Sequence, residues 1–410
     1  MKRLLETKRL INILDIHPDI ALETLQRARM AAFTLVKWLL CSVLSGSVIG
    51  LIGALFYKCL QYVTNIRTTY SFTLFFLPLA GIIIVFIYRL TNEADNTGTN
   101  LVITAIQSNV EVPVKVTPLI IISTLLTHLC GGSAGREGAA LQGGGSLGDF
   151  FAKLFNFDDK DTRIMIMCGM SACFSALFGT PIAAAVFSME VISVGVMYYA
   201  ALVPCIISSL TAQGIAGLLG VTPTAFTIGD ICSFNISTCL RLIIMSILFA
   251  LVSIAFCYML HTSSRIYSKY IENPYIRIVT AGILVILLRY ITGTTDYLGA
   301  GAPVIASSFL SSCAWYVFIL KMIFTAATLG GGFKGGEIVP TLFVGATLGS
   351  FLASIFGLPI GLCAACGMVS VFCGVTNCPL TSFIISIEMF GAASIKYVII
   401  CIAISYMLSG

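Results

Sequence analysis

The chain has few charged residues and few of the side chains that build metal sites. Aspartate, glutamate, lysine and arginine make up 10% of its 410 residues, against roughly a quarter in a soluble domain. Its three histidines, His17, His128 and His261, lie in unrelated contexts, and no HExxH motif occurs. We therefore expect no metal, no cofactor and no enzymatic activity, and we interpret His128 as a polar group satisfied within helix packing.

Apolar residues dominate instead: hydrophobic residues make up 58% of the chain and the mean hydropathy is +1.00. Several apolar windows approach or reach the roughly 20 residues that a membrane-spanning helix needs. The clearest are Trp38 to Tyr57, Phe72 to Tyr88, Leu240 to Met259 and Ile278 to Tyr290. The roughly 10-residue alternating segments of a β-barrel are not evident. The sequence predicts an all-α polytopic membrane protein, in contact with lipid in the bacterial inner (plasma) membrane.

The first 30 residues contain bases with acids interleaved and no uninterrupted apolar core, so a cleaved signal peptide is not expected. Residues 1–30 are predicted to be a cytoplasmic amphipathic segment on the membrane surface or on the protein body. Elsewhere the bases lie mainly near segment ends, where they set topology and contact lipid headgroups. The net charge of +5 therefore does not indicate a nucleic-acid partner.

Fifteen cysteines would indicate a disulfide framework in a small secreted chain. Here most of them lie inside apolar segments, as Cys168, Cys173, Cys366 and Cys373 do. We interpret them as buried small hydrophobic residues.

Two stretches about 200 residues apart are near-copies of each other. With an offset of 198, Cys168-Gly169-Met170, Phe174, Pro181, Ser188 and Glu190 have identical counterparts, which end at Glu388. A shift of 201 superposes the glycine-rich segments that precede them, for example Gly135 on Gly336. The chain is therefore a duplicated unit, predicted to form membrane repeats over residues 31–220 and 221–410.

Short apolar pieces interrupted by Gly and Pro lie between the long spans. They are Pro118 to Gly131, Ala139 to Phe150, Pro181 to Val194, Pro340 to Phe356 and Pro379 to Phe390. Paired broken helices in two repeats indicate a transporter site near the midplane, and helix N-termini directed into it favour an anion. Close helix packing is the alternative explanation, and for Gly143 to Gly145 the sequence leaves both open.

Four carboxylates lie in or beside these pieces. Glu137, at the expected start of a half-helix, is suited to occupy the place of an anion and to leave when protonated. Glu337, near Lys334, could form an ion pair or transfer protons. Glu190 and Glu388 are equivalent in the two repeats, which favours a shared structural role, such as a cap or an internal ion pair, over proton transfer.

The sequence resembles the CLC family of chloride channels and proton-coupled anion antiporters. The resemblance rests on Gly135-Arg136-Glu137-Gly138, the FGTPIAAAVFSMEV stretch, the break from Gly335 to Pro340 and the NCPLTSFIISIEM stretch. It implies two inverted helical repeats, a homodimer with one anion path per subunit, and Glu137 as the gating glutamate. No residues remain after Gly410 for the cytoplasmic nucleotide-sensing domains of some members.

Departures from the family pattern point to one branch. Gly98-Thr99-Asn100 stands where chloride-selective members have Gly-Ser-Gly-Ile-Pro, and Val191 aligns with the inner proton-carrying glutamate. The late tyrosine of the family would fall near Ala393, with Tyr397 one turn farther along. These absences and the FKGGE segment resemble the fluoride/proton antiporter branch, although Val339 replaces a threonine that is usual there.

The resemblance implies proton-coupled antiport of a halide, with fluoride export favoured over chloride. Glu137 would gate, and Glu337 or Glu190 would relay protons. Backbone and side-chain groups of eight residues would bind the anion: Gly98, Thr99, Asn100, Gly135, Arg136, Gly138, Ile338 and Val339. A passive chloride channel on the same scaffold is the alternative, and an organic-anion carrier should have a larger and more aromatic site.

Overall fold

The computed structural model describes residues 18–93, 98–108, 110–193 and 195–410, with the side chains of the first helix described from residue 23 onward. Within these ranges the first half contains helices α1 Pro18–Thr69, α2 Leu77–Leu90, α3 Thr99–Ser108, α4 Val116–Leu129, α5 Glu137–Leu154, α6 Asp159–Phe178, α7 Pro181–Glu190 and α8 Leu202–Leu218. The second half contains α9 Ile236–Tyr270, α10 Pro274–Thr292, α11 Ala302–Ser308, α12 Val317–Gly330, α13 Ile338–Phe356, α14 Ile360–Thr376, α15 Pro379–Phe390 and α16 Ile395–Ser409. The described residues form no β-strand, so the prediction of an all-α protein is confirmed.

Among the described residues, eight helical segments are long and apolar enough to cross a membrane. The four windows recognised in the sequence lie in α1, in α2 with the 3₁₀ turn before it, in α9 and in α10. The helices α4, α7, α12, α14 and α15 are apolar but have only 10–17 residues. The protein is therefore an integral membrane protein that combines long spans with shorter apolar helices, and two of the long spans, α6 and α13, are mostly buried inside it.

The order of helices repeats once along the chain. Each of α1 to α8 has a counterpart in α9 to α16, and α4 superposes on α12 with an offset of 201 at its first and last residues. The predicted limit at residue 220 falls in the loop between α8 and α9, whereas residue 30 lies inside α1. Most of the predicted amphipathic segment, residues 1–17, lies outside the described residues, and the domain limits stay predictions.

Glycines allow the helix after each glycine-rich break to pack closely against the next helix along the chain. A Cβ added at Gly144 would overlap the Gly169 carbonyl, and one at Gly345 would overlap that of Gly367. These pairs are equivalent between the repeats and bring α5 against α6 and α13 against α14. Close packing therefore accounts for Gly144, which the sequence left open.

Glu190 and Glu388 connect the two repeats by capping each other's helices. Glu190 accepts hydrogen bonds from the Leu380 and Thr381 backbone N–H groups (3.0 and 2.8 Å) at the start of α15. Glu388 accepts from Ile182 and Ala183 (2.9 Å each) at the start of α7. These four N–H groups lie in the first turns of helices, where backbone donors have no acceptor within the helix. The two carboxylates supply the missing acceptors. This is the shared capping role that their equivalence in sequence favours.

Candidate functional site

The two glycine-rich breaks meet each other at equivalent residues. The Gly135 N–H donates to the Gly336 carbonyl (2.6 Å), and the Gly336 N–H donates to the Gly135 carbonyl (2.9 Å). Equivalent residues of the two repeats are therefore hydrogen-bonded to each other. This contact brings the starts of α5 and α13 together.

Glu137 lies between these two helix starts. It is the first residue of α5 and is fully buried. Its Oε2 accepts a hydrogen bond from the Val339 N–H (3.2 Å), in the first turn of α13, while Oε1 has no hydrogen-bond partner in the described part of the chain. Free N–H groups and roughly half a positive charge at a helix start favour an anion. The Glu137 carboxylate thus occupies a place suited to a small anion.

Three glycines around Glu137 leave no room for side chains. A Cβ at Gly135 would overlap Glu137 Oε2, and one at Gly336 would lie 2.5 Å from the Gly138 nitrogen. At Gly138 a Cβ would lie 3.0 Å from the Gly335 carbonyl oxygen. The glycines in Gly-Arg-Glu-Gly therefore allow the two breaks to approach each other closely.

Arg136 holds its guanidinium beside the Glu137 carboxylate. The group lies over the rings of Tyr57 (4.9 Å to the centroid) and Phe178 (5.3 Å), and it donates to the Leu177 carbonyl (3.2 Å). Its Nε is 3.9 Å from Glu137 Oε1. Stacking on two rings fixes the cation where it can attract an anion that replaces the carboxylate.

Two further buried basic side chains surround the break. His128 Nε2 lies 3.4 Å from the Gly135 carbonyl oxygen, in agreement with its interpretation as a packed polar group. Lys321 donates to the carbonyls of Tyr297 (3.1 Å) and Gly299 (2.6 Å). Both side chains therefore stabilise the backbone around the site.

A cavity of about 460 Å³ lies next to the first turns of α5 and α13. Arg136 and Val339 are among its lining residues, together with His128 and the C-terminal part of α1 from Tyr57 to Thr68. Two groups that contact the Glu137 carboxylate are therefore open to this space.

Seven of the predicted site residues come together at this place: Gly135, Arg136, Glu137, Gly138, Ile338, Val339 and Thr99. The Thr99 hydroxyl lies 3.4 Å from the position of a Cβ on Gly138. Asn100 is exposed in the first turn of α3, and Gly98 precedes that helix with a left-handed φ of 71°. No described contact joins either of these two residues to Glu137.

The remaining candidates are not joined to the Glu137 carboxylate by a hydrogen bond or ion pair in the described residues. Glu190 is engaged at the start of α15, and the Tyr397 hydroxyl donates to the Cys232 carbonyl (2.5 Å). Glu337 is the N-cap residue of α13, and its side chain is exposed. The Lys334 ammonium lies over the Tyr88 ring at 4.4 Å, and in the described residues no ion pair joins it to Glu337.

A family model for voltage gated chloride channels matches residues 79–410. The chain belongs to this CLC family. A chloride/fluoride channel protein of Pseudomonas syringae pv. tomato is 34% identical over 383 residues, which cover 92% of this chain and 85% of the relative. An H(+)/Cl(-) exchange transporter of Vibrio cholerae is 24% identical over 383 residues, which cover 86% and 81% of the two chains.

Solved CLC structures agree with this assignment. A CLC-type fluoride/proton antiporter superposes with a TM-score of 0.89 at 32% identity, covering 92% of this chain and 96% of the other. A slow cyanobacterial Cl-/H+ antiporter superposes with a TM-score of 0.78 at 18% identity, covering 91% and 94%, and supports the fold alone. The CLC resemblance of the sequence and the inverted-repeat fold are thereby confirmed.

Sequence reasoning missed Arg67, Tyr57 and Phe178, which line the cavity near Glu137. Arg67 lies in the last turn of the long apolar helix α1, where a base usually indicates only topology. The helical spacing of polar residues from Tyr57 through Gln61 and Thr64 to Thr68 was the available signal, because it places them on one face.

Proposed function

We propose that this CLC protein exports fluoride in exchange for protons across the bacterial inner membrane, as a homodimer in lipid with one anion path per subunit. The proposal is supported by the names of two similar proteins, a chloride/fluoride channel protein and a CLC-type fluoride/proton antiporter, at 34% and 32% identity. The missing Gly-Ser-Gly-Ile-Pro segment supports fluoride over chloride.

The hydrogen bond from the Val339 N–H to Glu137 carries the mechanism. Protonation removes the charge that holds the carboxylate between two helix starts, so the neutral side chain swings toward the cavity. The exposed N–H groups then bind the anion. Fluoride, a small and strong hydrogen-bond acceptor, suits such a site. When Glu137 releases its proton and returns, the anion leaves, and one carboxylate has linked both ions.

Glu337 is the residue to which we assign the inner proton step. It directly follows Gly336, whose backbone is hydrogen-bonded to that of Gly135, two residues before Glu137. Its side chain is exposed. Both oxygens of Glu190 accept hydrogen bonds from α15, one of them from the Thr381 hydroxyl as well. Glu190 is therefore better suited to capping than to relaying protons.

Transport is a better account of this chain than catalysis. Residues 131–135 and 144–148 match the Gly-x-Ser-x-Gly pattern of serine hydrolases. However, Ser133 Oγ shares a hydrogen bond with Thr325 Oγ1 (3.1 Å), and Ser146 donates to the Pro113 carbonyl (2.7 Å). Neither serine has a histidine base among the described residues, as a nucleophile would require.

Ion release from proteoliposomes tests the function. Vesicles loaded with fluoride or chloride are followed with an anion electrode while the external pH is recorded. We expect fluoride efflux with proton uptake in the wild type, and in Glu137→Ala fluoride flux without proton movement, because the residue that links the ions is gone.

Glu111→Ala is the matched control, since Glu111 is an exposed carboxylate that pairs with Lys153 (2.8 Å) far along α5 from its start. It should keep the wild-type ratio of protons to fluoride. Chloride flux without proton movement in the wild type would contradict the proposal and would indicate the passive chloride channel.

A further inference from the structure

The cavity beside the gate has a polar wall, which α1 supplies. Gln61, Thr64 and Thr68 line it at helical spacing, and Arg67 lies beside Thr68. The lining also includes apolar side chains, among them Leu342 and Met368, and the polar residues His128, Arg136 and Thr224 from other elements. An ion in this space therefore has polar partners on α1 and near the start of α5.

The charged residues lining the cavity in the described part of the chain are basic. These residues are Arg67 and Arg136, and no described aspartate or glutamate lines the cavity. Glu137 is not part of the lining, although its Oε1 lies 3.9 Å from Arg136 Nε. The space is therefore electropositive and attracts anions, most strongly where protein shields it from water.

Arg67 has donor capacity that the protein does not use. Its Nη1 is buried and has no hydrogen-bond partner within the described ranges. Arg67 also lines a smaller cavity of about 200 Å³, together with Arg289 and Asp296, yet no ion pair in the described residues joins Arg67 to Asp296. Leaving a buried guanidinium donor unmatched is unfavourable unless a ligand supplies the acceptor.

The position of the guanidinium is built by the backbone around it. A Cβ at Gly299 would overlap Arg67 Nη1, so only glycine fits there. The Gly299 carbonyl accepts from buried Lys321, and its N–H donates to the Gly132 carbonyl (3.1 Å), next to the break itself. Arg67 is thus held by a segment attached directly to the gate region.

We propose that Arg67, with Arg136, forms a halide-binding site in this cavity, where the anion waits before it reaches the Val339 N–H. The identity of the halide rests on the proposed function. The site is distinct from the place of the Glu137 carboxylate, and it raises the local anion concentration at the gate. Its loss should weaken capture of the anion and leave the proton coupling intact, since Glu137 and Glu337 are unchanged.

The test is the initial rate of fluoride uptake into proteoliposomes as a function of external fluoride, with proton movement recorded. Arg67→Ala should raise the apparent KM about tenfold, as for the loss of one hydrogen bond to a charged group. The maximal rate and the ratio of protons to fluoride should stay unchanged. Arg67→Lys keeps the charge and should show a smaller rise.

Arg289→Ala is the matched control, because Arg289 lines the smaller cavity and not the larger one. It should change the apparent KM less than about twofold, as expected of screened surface charge. An unchanged KM in Arg67→Ala, an equal shift in both variants, or a loss of maximal rate alone would overturn the proposal. If Arg67→Ala does not yield a folded dimer, Arg67→Gln replaces it with the same expectation.

These outcomes are separate from those of the proposed function. Absence of proton movement in the wild type would contradict antiport, whereas the KM shift requires only anion flux. If chloride proves to be the permeant ion, the same comparison is made with external chloride.

Discussion

Gly135 lies in contact with the Glu137 carboxylate, and its Cα hydrogen is all that fits there. In Gly135→Ala the added methyl group should push the carboxylate off the Val339 N–H and leave the gate partly open. We expect the ratio of protons to fluoride to fall severalfold, together with a loss of stability of about 1–3 kcal/mol from overpacking. Proteoliposome flux and the unfolding midpoint in detergent measure the two effects.

Gly143→Ala is the control for this substitution. A Cβ there would lie 3.6 Å from its nearest neighbour, Thr117 Cγ2, so it meets only ordinary van der Waals contact. This variant should keep its coupling and gain about 0.5–1 kcal/mol, because alanine replaces glycine within a helix. Equal behaviour of both variants would mean that contact with the carboxylate does not matter.

Val339 brings an apolar side chain to a site that binds through hydrogen bonds. In Val339→Thr a hydroxyl of similar size adds a donor beside the N–H that holds Glu137. We expect tighter fluoride binding, by about tenfold or 1.5 kcal/mol, seen as a lower apparent KM. Val344→Thr, on the same helix but fully buried and outside the cavity lining, should leave KM unchanged.

The position of Glu137 at a helix start could be predicted from sequence because Gly-Arg-Glu-Gly combines a break, a charge and two close-contact glycines. Its gating role, which the family resemblance implies, stays a prediction. Arg67 could not be predicted, because its partners, the Gly299 segment and the cavity, are far away in the chain. Asn100 was expected at the site, yet it is exposed in the first turn of α3. Its role in binding stays a prediction.

At the scale of helices, Glu190 and Glu388 cap α15 and α7 reciprocally. Glu190→Gln should lower the stability by about 1.5–3 kcal/mol, the value of hydrogen bonds to a charged acceptor. Glu388→Gln should cost less, because Glu190 accepts three hydrogen bonds, including one from the Thr381 hydroxyl (2.6 Å), whereas Glu388 accepts two. Thermal unfolding in detergent ranks the two variants.

Proton coupling separates a cap from a relay at Glu190. The coupling ratio should remain that of the wild type in Glu190→Gln, and its loss would return Glu190 to the proton path. Glu111→Gln should be nearly neutral in both measurements, since an exposed ion pair contributes about 0–1 kcal/mol.

The apolar windows predicted the long helices, and the sequence offsets predicted the repeat. Neither signal predicted the exact residues at which the broken helices start. The sequence placed the start of one broken piece at Pro340, whereas α13 begins at Ile338. The two additional residues matter, because the first turn of α13 faces Glu137. Their position is set by the backbone hydrogen bonds between Gly135 and Gly336. These two residues are 201 positions apart in the chain.

At the scale of the whole molecule, the repeats stabilise each other through this bond and the two caps. Residues 1–220 and 221–410, produced as separate chains in one cell, should copurify and transport fluoride, because the cut lies in the loop after Gly220, where a Cβ meets nothing within 4 Å. Either half alone should aggregate, since its helix starts lose their caps. A monodisperse single half would show that the repeats are independent domains.

Arg136 and Glu337 immediately follow the two bonded glycines, so the offset that relates Gly135 to Gly336 relates them as well. In an inverted duplication, equivalent residues are directed toward opposite faces of the membrane. The two breaks exchange equivalent backbone hydrogen bonds here, while the charge at this one position is reversed. A protein built from two copies of one unit thus presents a cation toward one face of the membrane and a carboxylate toward the other.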